Sequence, residues 1–167
     1  QVSMFVCMII LARCLDLVQF ANVATSIAWA TILCAVFDFG TNSKWLVQLS
    51  NQSISIAEWL ELATRKIWIT FASLTFLGII ALSFDVYLFW AALMAVGMLT
   101  QQTLLVPLRV INKNSSYAFA QAVEKPIALL LICLMSMVSI GALSNYFGIA
   151  FLVGTLVSAT IGLANTK

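Results

Sequence analysis

The side chains able to do chemistry in this sequence are few and far apart. Arg13 and Asp38 stand at or near the ends of long apolar runs, Thr100, Gln101, Gln102 and Thr103 form a polar group inside another, and Arg109 follows Pro107. With no histidine anywhere, a His-ligated zinc site, a Ser-His or Cys-His nucleophile pair and an imidazole relay are excluded. No close carboxylate pair offers acid–base chemistry. The four cysteines, Cys7, Cys14, Cys34 and Cys133, lack C-x-x-C spacing and read as small core residues rather than as a disulfide framework or metal cage. Neither enzymatic activity nor a bound cofactor is expected.

Asp38 is the strongest single signal. An uncompensated carboxylate inside an apolar helix costs ~2.5–3.5 kcal/mol on insertion scales, so it needs a partner or a wet cavity. Arg109, on the same side at the end of a later run, is the candidate partner. An ion pair or a helix-end cap beside Gly40 stands as the alternative to a place in a transport path. Arg13 has the planar fork that grips a diphosphate, although an arginine at a helix end can also simply snorkel. At about 100° per residue, Thr100 to Thr103 cover most of a helix circumference, so at least one must face protein or water. Gln101 and Gln102 are thus candidates for interhelical hydrogen bonds or for a sugar-binding lining. Pro107 removes a backbone donor and is expected to bend or end its helix. Arg109 or Lys44 could attract an anion at the nearby mouth, while Asp85 and Glu124, at ends of runs, need no function.

The elements that hold these residues follow from composition. The chain has 167 residues and 18.2 kDa, is 63% hydrophobic and 8% charged, and has a mean hydropathy of +1.07. A soluble domain is about 45–50% apolar and about 25% charged, so this chain cannot cover itself with polar surface and the bilayer is its natural solvent. A spanning helix takes ~20 residues, which leaves room for about six. The expected fold is an all-α membrane bundle in one lobe, with spans at about 2–12 (truncated), 20–43, 67–84, 86–108, 126–144 and 146–164. The runs do not alternate as barrel strands would. The chain opens without a basic start or a cleavage site, so it is expected to begin inside a first span rather than with a signal peptide.

Basic residues orient the bundle. Lys44, Arg65, Lys66, Arg109, Lys113, Lys125 and Lys167 fall on alternate links, against Arg13 alone on the others. The excess marks the cytoplasmic side, which places both ends there. The net charge of +2 forms no basic stripe, so nucleic acid is not an expected partner. Between Lys44 and Lys66, Ser55 and Glu58 have capping-box spacing, and the segment reads as an amphipathic helix at the headgroup boundary before the third span. Trp45, Trp59 and Trp68 would anchor it there. Asn112 to Lys125 has a cap candidate in Asn114 and reads as a second short helix. Pro126 suits the first turn of the fifth span. In the sixth, Ala150, Gly154, Ser158 and Gly162 recur every four residues and form a face for close packing against another span.

Leu11-Ala12-Arg13, followed by Phe20, Phe37-Asp38-Phe39-Gly40 and Leu46-Val47-Gln48-Leu49-Ser50, resembles the polysaccharide-biosynthesis (Wzx-type) oligosaccharide flippases, part of the superfamily that includes MATE exporters and lipid II flippases. The chain matches only the amino-terminal six spans of a family with twelve or more, and Ala21 stands where the pattern usually has Gly. The resemblance implies an inner-membrane protein that moves an undecaprenyl-diphosphate-linked oligosaccharide outward by alternating access, among membrane lipid and together with a second six-helix lobe absent from this chain. Arg13 and Asp38 fall on recurring family positions. A MATE-type cation-coupled drug exporter is the nearest rival, disfavoured because Asp38 is the only good candidate for a deep carboxylate. A non-transporting scaffold subunit is the third reading.

Overall fold

The computed structural model describes residues 8, 9, 11–13, 15–111, 114–138 and 143–164, with backbone alone at 114, 125, 129, 132–138, 143–147, 162 and 163. The first expected span falls largely outside these residues, as do Cys7 and Cys14 and the side chain of Cys133. The described residues are mostly helical, joined by short turns, and include no strand. From Leu17 onward, seven helices follow in order among the described residues: α1 (Leu17–Asp38), α2 (Thr41–Ser50), α3 (Ile56–Leu82), α4 (Val86–Leu104), α5 (Val106–Val110), α6 (Asn114–Val138) and α7 (Leu143–Ala164). Among the described residues three apolar stretches, Leu17–Asp38, Ile56–Leu82 and Val86–Val110, are long and apolar enough to cross a membrane.

Local chemistry sets the helix starts. Asp16 caps α1 by accepting from the Gln19 N–H at 2.7 Å, and Asp85 caps α4 through the Tyr87 N–H at 2.8 Å. Ser55 and Glu58 close the expected capping box at the start of α3. That helix then continues without a break to Leu82, because no Gly or Pro interrupts it before Gly78. The boundary helix and the third span are therefore one element, about 40 Å long at 1.5 Å per residue. The first half of the same link is the separate helix α2. The second apolar run does not reach Ser43 as one helix. It stops at Asp38, where Phe39 (φ 47°) and Gly40 (φ 68°) are both left-handed. Glycine adopts this conformation freely, whereas Phe39 bears a cost on the order of 1–2 kcal/mol.

Proline acts differently at its two positions. Pro107 ends α4 as expected: the helix stops at Leu104 and a short helix restarts at Val106. Pro126 lies inside α6, not in a first turn. The expected short helix and the fifth span are one helix, so its start moves to Asn114.

Helix α4 is the hub. It packs on α1, α3 and α7, while α7 also packs on α6. Of an 18-residue apolar segment of the Val86–Val110 stretch 78% is buried, against 22% and 17% for segments of the same length in α1 and α3. Its small and apolar side chains Ala91, Met94, Ala95 and Leu99 meet Val23, Ala30 and Cys34 of α1, Leu74 of α3, and Ala150 and Phe151 of α7 in one core. A second core joins α2, α3 and α5 through Trp45, Leu49, Trp59, Ala63 and Val106. Trp45 and Trp59 are thus interior residues rather than surface anchors, and Trp68 alone of the three is exposed, at 67%.

Ala150, Gly154 and Ser158 of the small-residue face of α7 are packed inside the protein. A Cβ built on Gly154 would stand 2.7 Å from the backbone carbonyl oxygen of Glu124, whereas one on Gly78 would stand 3.2 Å from the Phe89 ring. Backbone cannot yield as a ring can. Gly154→Ala is expected to destabilise the bundle by about 1–3 kcal/mol and Gly78→Ala by clearly less, read as unfolding midpoints in detergent; equal midpoints would refute this account of the α6–α7 crossing.

Candidate functional site

The last turn of α4 distributes its four polar side chains to four surroundings. Thr100 lines an apolar groove with residues of α3 and α7. Gln101 turns toward α6 and α7, donating to Glu124 Oε2 at 2.9 Å and Ser158 Oγ at 2.6 Å. Gln102 accepts from the Cys34 thiol of α1 at 3.6 Å. Thr103 donates to Asn42 Oδ1 of α2 at 3.2 Å. Helical rotation of about 100° per residue makes consecutive positions diverge in this way.

Two polar clusters result, on opposite sides of α4. The first is built on an ion pair between Lys66 Nζ of α3 and Asp38 Oδ1 at the end of α1, 2.6 Å apart, with side chains 13% and 19% exposed. Lys66 also donates to Thr41 Oγ1 and, at 3.1 Å, to Asn42 Oδ1, so its ammonium is served by three oxygen acceptors. Thr41 Oγ1 donates in turn to the Asp38 carbonyl at 2.7 Å. Lys66 Nζ stands 5.1 Å from the centroid of Trp45, within range of a cation–π attraction. The cluster is completed by Thr103 and, through Cys34, by the exposed Gln102. Among the described residues the buried Nδ2 of Asn42 has no hydrogen-bond partner. Helices α1, α2, α3 and α4 therefore meet at a compact charged site. The left-handed turn at Phe39 and Gly40 brings Thr41 and Asn42 back toward the carboxylate.

The expected pairing of Asp38 with Arg109 does not form. Because α4 ends before Pro107, Arg109 belongs to a separate short helix, is exposed, stacks its guanidinium 4.4 Å from the Tyr117 ring centroid and donates to the Tyr117 hydroxyl. Lys66 takes its place. A sequence signal for Lys66 existed: once the capping box starts α3 at Ile56, Lys66 falls eleven residues into a long apolar helix, too deep for a boundary charge. Arg13 is exposed near the start of the described chain, apart from this cluster. Lys44 is exposed on α2.

The second cluster is interior. Glu124 is 5% exposed and Ser158 fully buried, and the Ser158 hydroxyl donates to the Ala120 carbonyl at 2.5 Å. Glu124 is therefore a deep carboxylate tied to α4, not a helix-end charge without consequence. Its sequence position among basic and polar neighbours concealed this, because the helix runs on through Pro126. Among the described residues no group of His, Cys, Asp and Glu could hold a metal ion.

Removing one partner of a buried pair leaves the other charge uncompensated at about 3–5 kcal/mol, and the partial exposure of this one puts it at the lower side. Asp38→Asn and Lys66→Met should each lower the unfolding midpoint, and the double substitution should recover most of the loss; additive losses would contradict the pairing. No family model, curated protein or solved structure matches the chain.

Proposed function

We propose that this chain is one lobe of a membrane transporter that moves a lipid-linked oligosaccharide across the inner membrane. In this reading it forms six spans, with both ends cytoplasmic as the placement of Lys and Arg suggests. The motifs around Arg13 and Asp38 and their resemblance to Wzx-type flippases support the substrate class. The observation that carries the reading is the Asp38–Lys66 pair beside exposed Gln102. A lone structural bundle has little need of a charged, hydroxyl-rich and amide-rich site among apolar helices, whereas passage of a glycan and a diphosphate through ~30 Å of hydrocarbon requires one. Lys66 is well placed to exchange Asp38 for a substrate phosphate, and Gln102 to meet hydroxyl groups of a sugar. No covalent step is involved.

A single lobe supplies one wall of such a path. Alternating access by rocking requires a second bundle across the site, so that lobe is an obligatory partner. The rival reading, a cation-coupled exporter, draws support from Glu124, a second deep carboxylate. The engagement of Asp38 by Lys66 weighs against it, because a cation would have to displace an ammonium already bound.

The test is flipping of a fluorescent polyprenyl-diphosphate oligosaccharide in vesicles. The chain alone should be inactive, and in the two-lobe protein Asp38→Asn and Gln102→Leu should each reduce the rate at matched protein content. Flipping by the isolated chain, or an unchanged rate in both variants, would overturn the proposal.

A further inference from the structure

The break after α4 leaves a cluster of hydrogen-bond donors at the junction of α5 and α6. Tyr117 of α6 is half-buried, and its ring rests on the small core of Leu105, Leu108 and Ala120. The Arg109 guanidinium stacks over that ring, its carbon 4.4 Å from the centroid, and donates through Nη2 to the phenol oxygen. One turn on, Gln121 Nε2 donates to the same oxygen at 2.7 Å. With N–H groups from both residues on its oxygen, the phenol must point its own hydrogen outward. That hydrogen meets no acceptor among the described residues.

The cluster has no anion of its own. Arg65 pairs with Glu61 and Lys66 with Asp38, whereas Arg109 meets no carboxylate among the described residues. Its contact with Tyr117 uses a single guanidinium N–H, and Arg109 and Gln121 are both exposed. Stacking fixes the planar fork without neutralising it, which lowers the entropic cost of ordering it on a ligand. Guanidinium, amide and phenol hydrogens therefore converge as a positively charged set of donors, the complement of a phosphate oxyanion. Lys125 follows one turn after Gln121 in α6, at the i+4 position. Level selects the ligand as well as charge. Arg109 stands one residue short of the end of the apolar stretch Val86–Val110, and in a bilayer the end of such a stretch lies among headgroup phosphates.

We infer that Arg109, Tyr117 and Gln121 bind the phosphate of a membrane-borne lipid. The phosphate oxygens accept from the unengaged guanidinium N–H groups, from the outward phenol O–H and from the Gln121 amide. An anionic headgroup is favoured over a zwitterionic one, whose own ammonium would be brought against Arg109. The bound phosphate bridges α5 and α6. The site shares no residue with the Asp38–Lys66 cluster and requires only immersion in lipid, so it stands or falls independently of transport.

Native mass spectrometry of the protein in neutral detergent, titrated in turn with phosphatidylglycerol and with phosphatidylcholine of the same acyl chains, measures binding of the first lipid. Phosphatidylglycerol is expected to bind the more tightly. Arg109→Gln should weaken it by about tenfold, and Tyr117→Phe and Gln121→Leu by smaller factors, with helicity and phosphatidylcholine binding unchanged. Arg65→Gln removes the same charge from an arginine that has a carboxylate partner and should leave phosphatidylglycerol binding as it was. Equal losses in Arg65→Gln and Arg109→Gln would reduce the effect to net charge and overturn the proposal, as would full binding in the double variant Tyr117→Phe, Gln121→Leu. Two further arms separate the sources of phosphate. Displacement of the lipid by inorganic phosphate at the lipid's own concentration overturns a lipid-borne ligand, whereas competition by a polyprenyl diphosphate but not by the unphosphorylated polyprenol supports it.

Discussion

An apolar chain with few polar side chains must place its large amides and buried charges against partners, and α4 is where this requirement is met. Gln101, Gln102 and Thr103 would be costly if any faced hydrocarbon without a bond. Instead the rotation of the helix carries Gln101 into the α6–α7 interface, Gln102 to α1 and Thr103 to α2. The small residues around them, Ala91, Ala92, Ala95 and Gly97, allow three helices to approach α4 closely enough for such contacts. The arrangement of the bundle is thus tied to one turn of one helix.

The charged cluster depends on that turn. Asp38 and Lys66 meet because α1 ends in two left-handed residues and α3 extends far past its capping box. Asn42 joins the ion pair to Thr103, so α2, α3 and α4 share one network with the end of α1. Buried networks of this kind favour a single arrangement of their members, and they hold charge where water or an anionic ligand could later compete for it. The Gln101–Glu124–Ser158 cluster does the corresponding work on the other side, binding α4 to α6 and α7 by polar contacts where the packing is otherwise of small residues.

Much of this was legible in the residues. The helical class, the capping box at Ser55 and Glu58, the stop near Pro107, the buried character of Cys34 and the close-packed face at Gly154 follow from period, cap chemistry and residue size. What was hidden depends on continuity. The capping box at Ser55 and the lack of Gly or Pro before Gly78 point to a helix running through Lys66, but treating Lys66 and Glu124 as end charges assigned Asp38 the wrong partner and left Glu124 without a role. Pro126 was misplaced for the same reason: a proline fits a first turn better than a helix interior, but the residues before it were helical too. Trp45 and Trp59 look like boundary anchors until α5, created by the break at Leu105, covers them.

Solvent access at consecutive positions of α4 tests the central claim most directly. With the four native cysteines replaced by alanine, Gln101→Cys and Gln102→Cys are compared for reaction with a membrane-impermeant thiol reagent added to each side of sealed vesicles. The account predicts that position 102 reacts from one compartment only and position 101 from neither. Equal reactivity at the two positions, or silence at 102 from both sides, would contradict it.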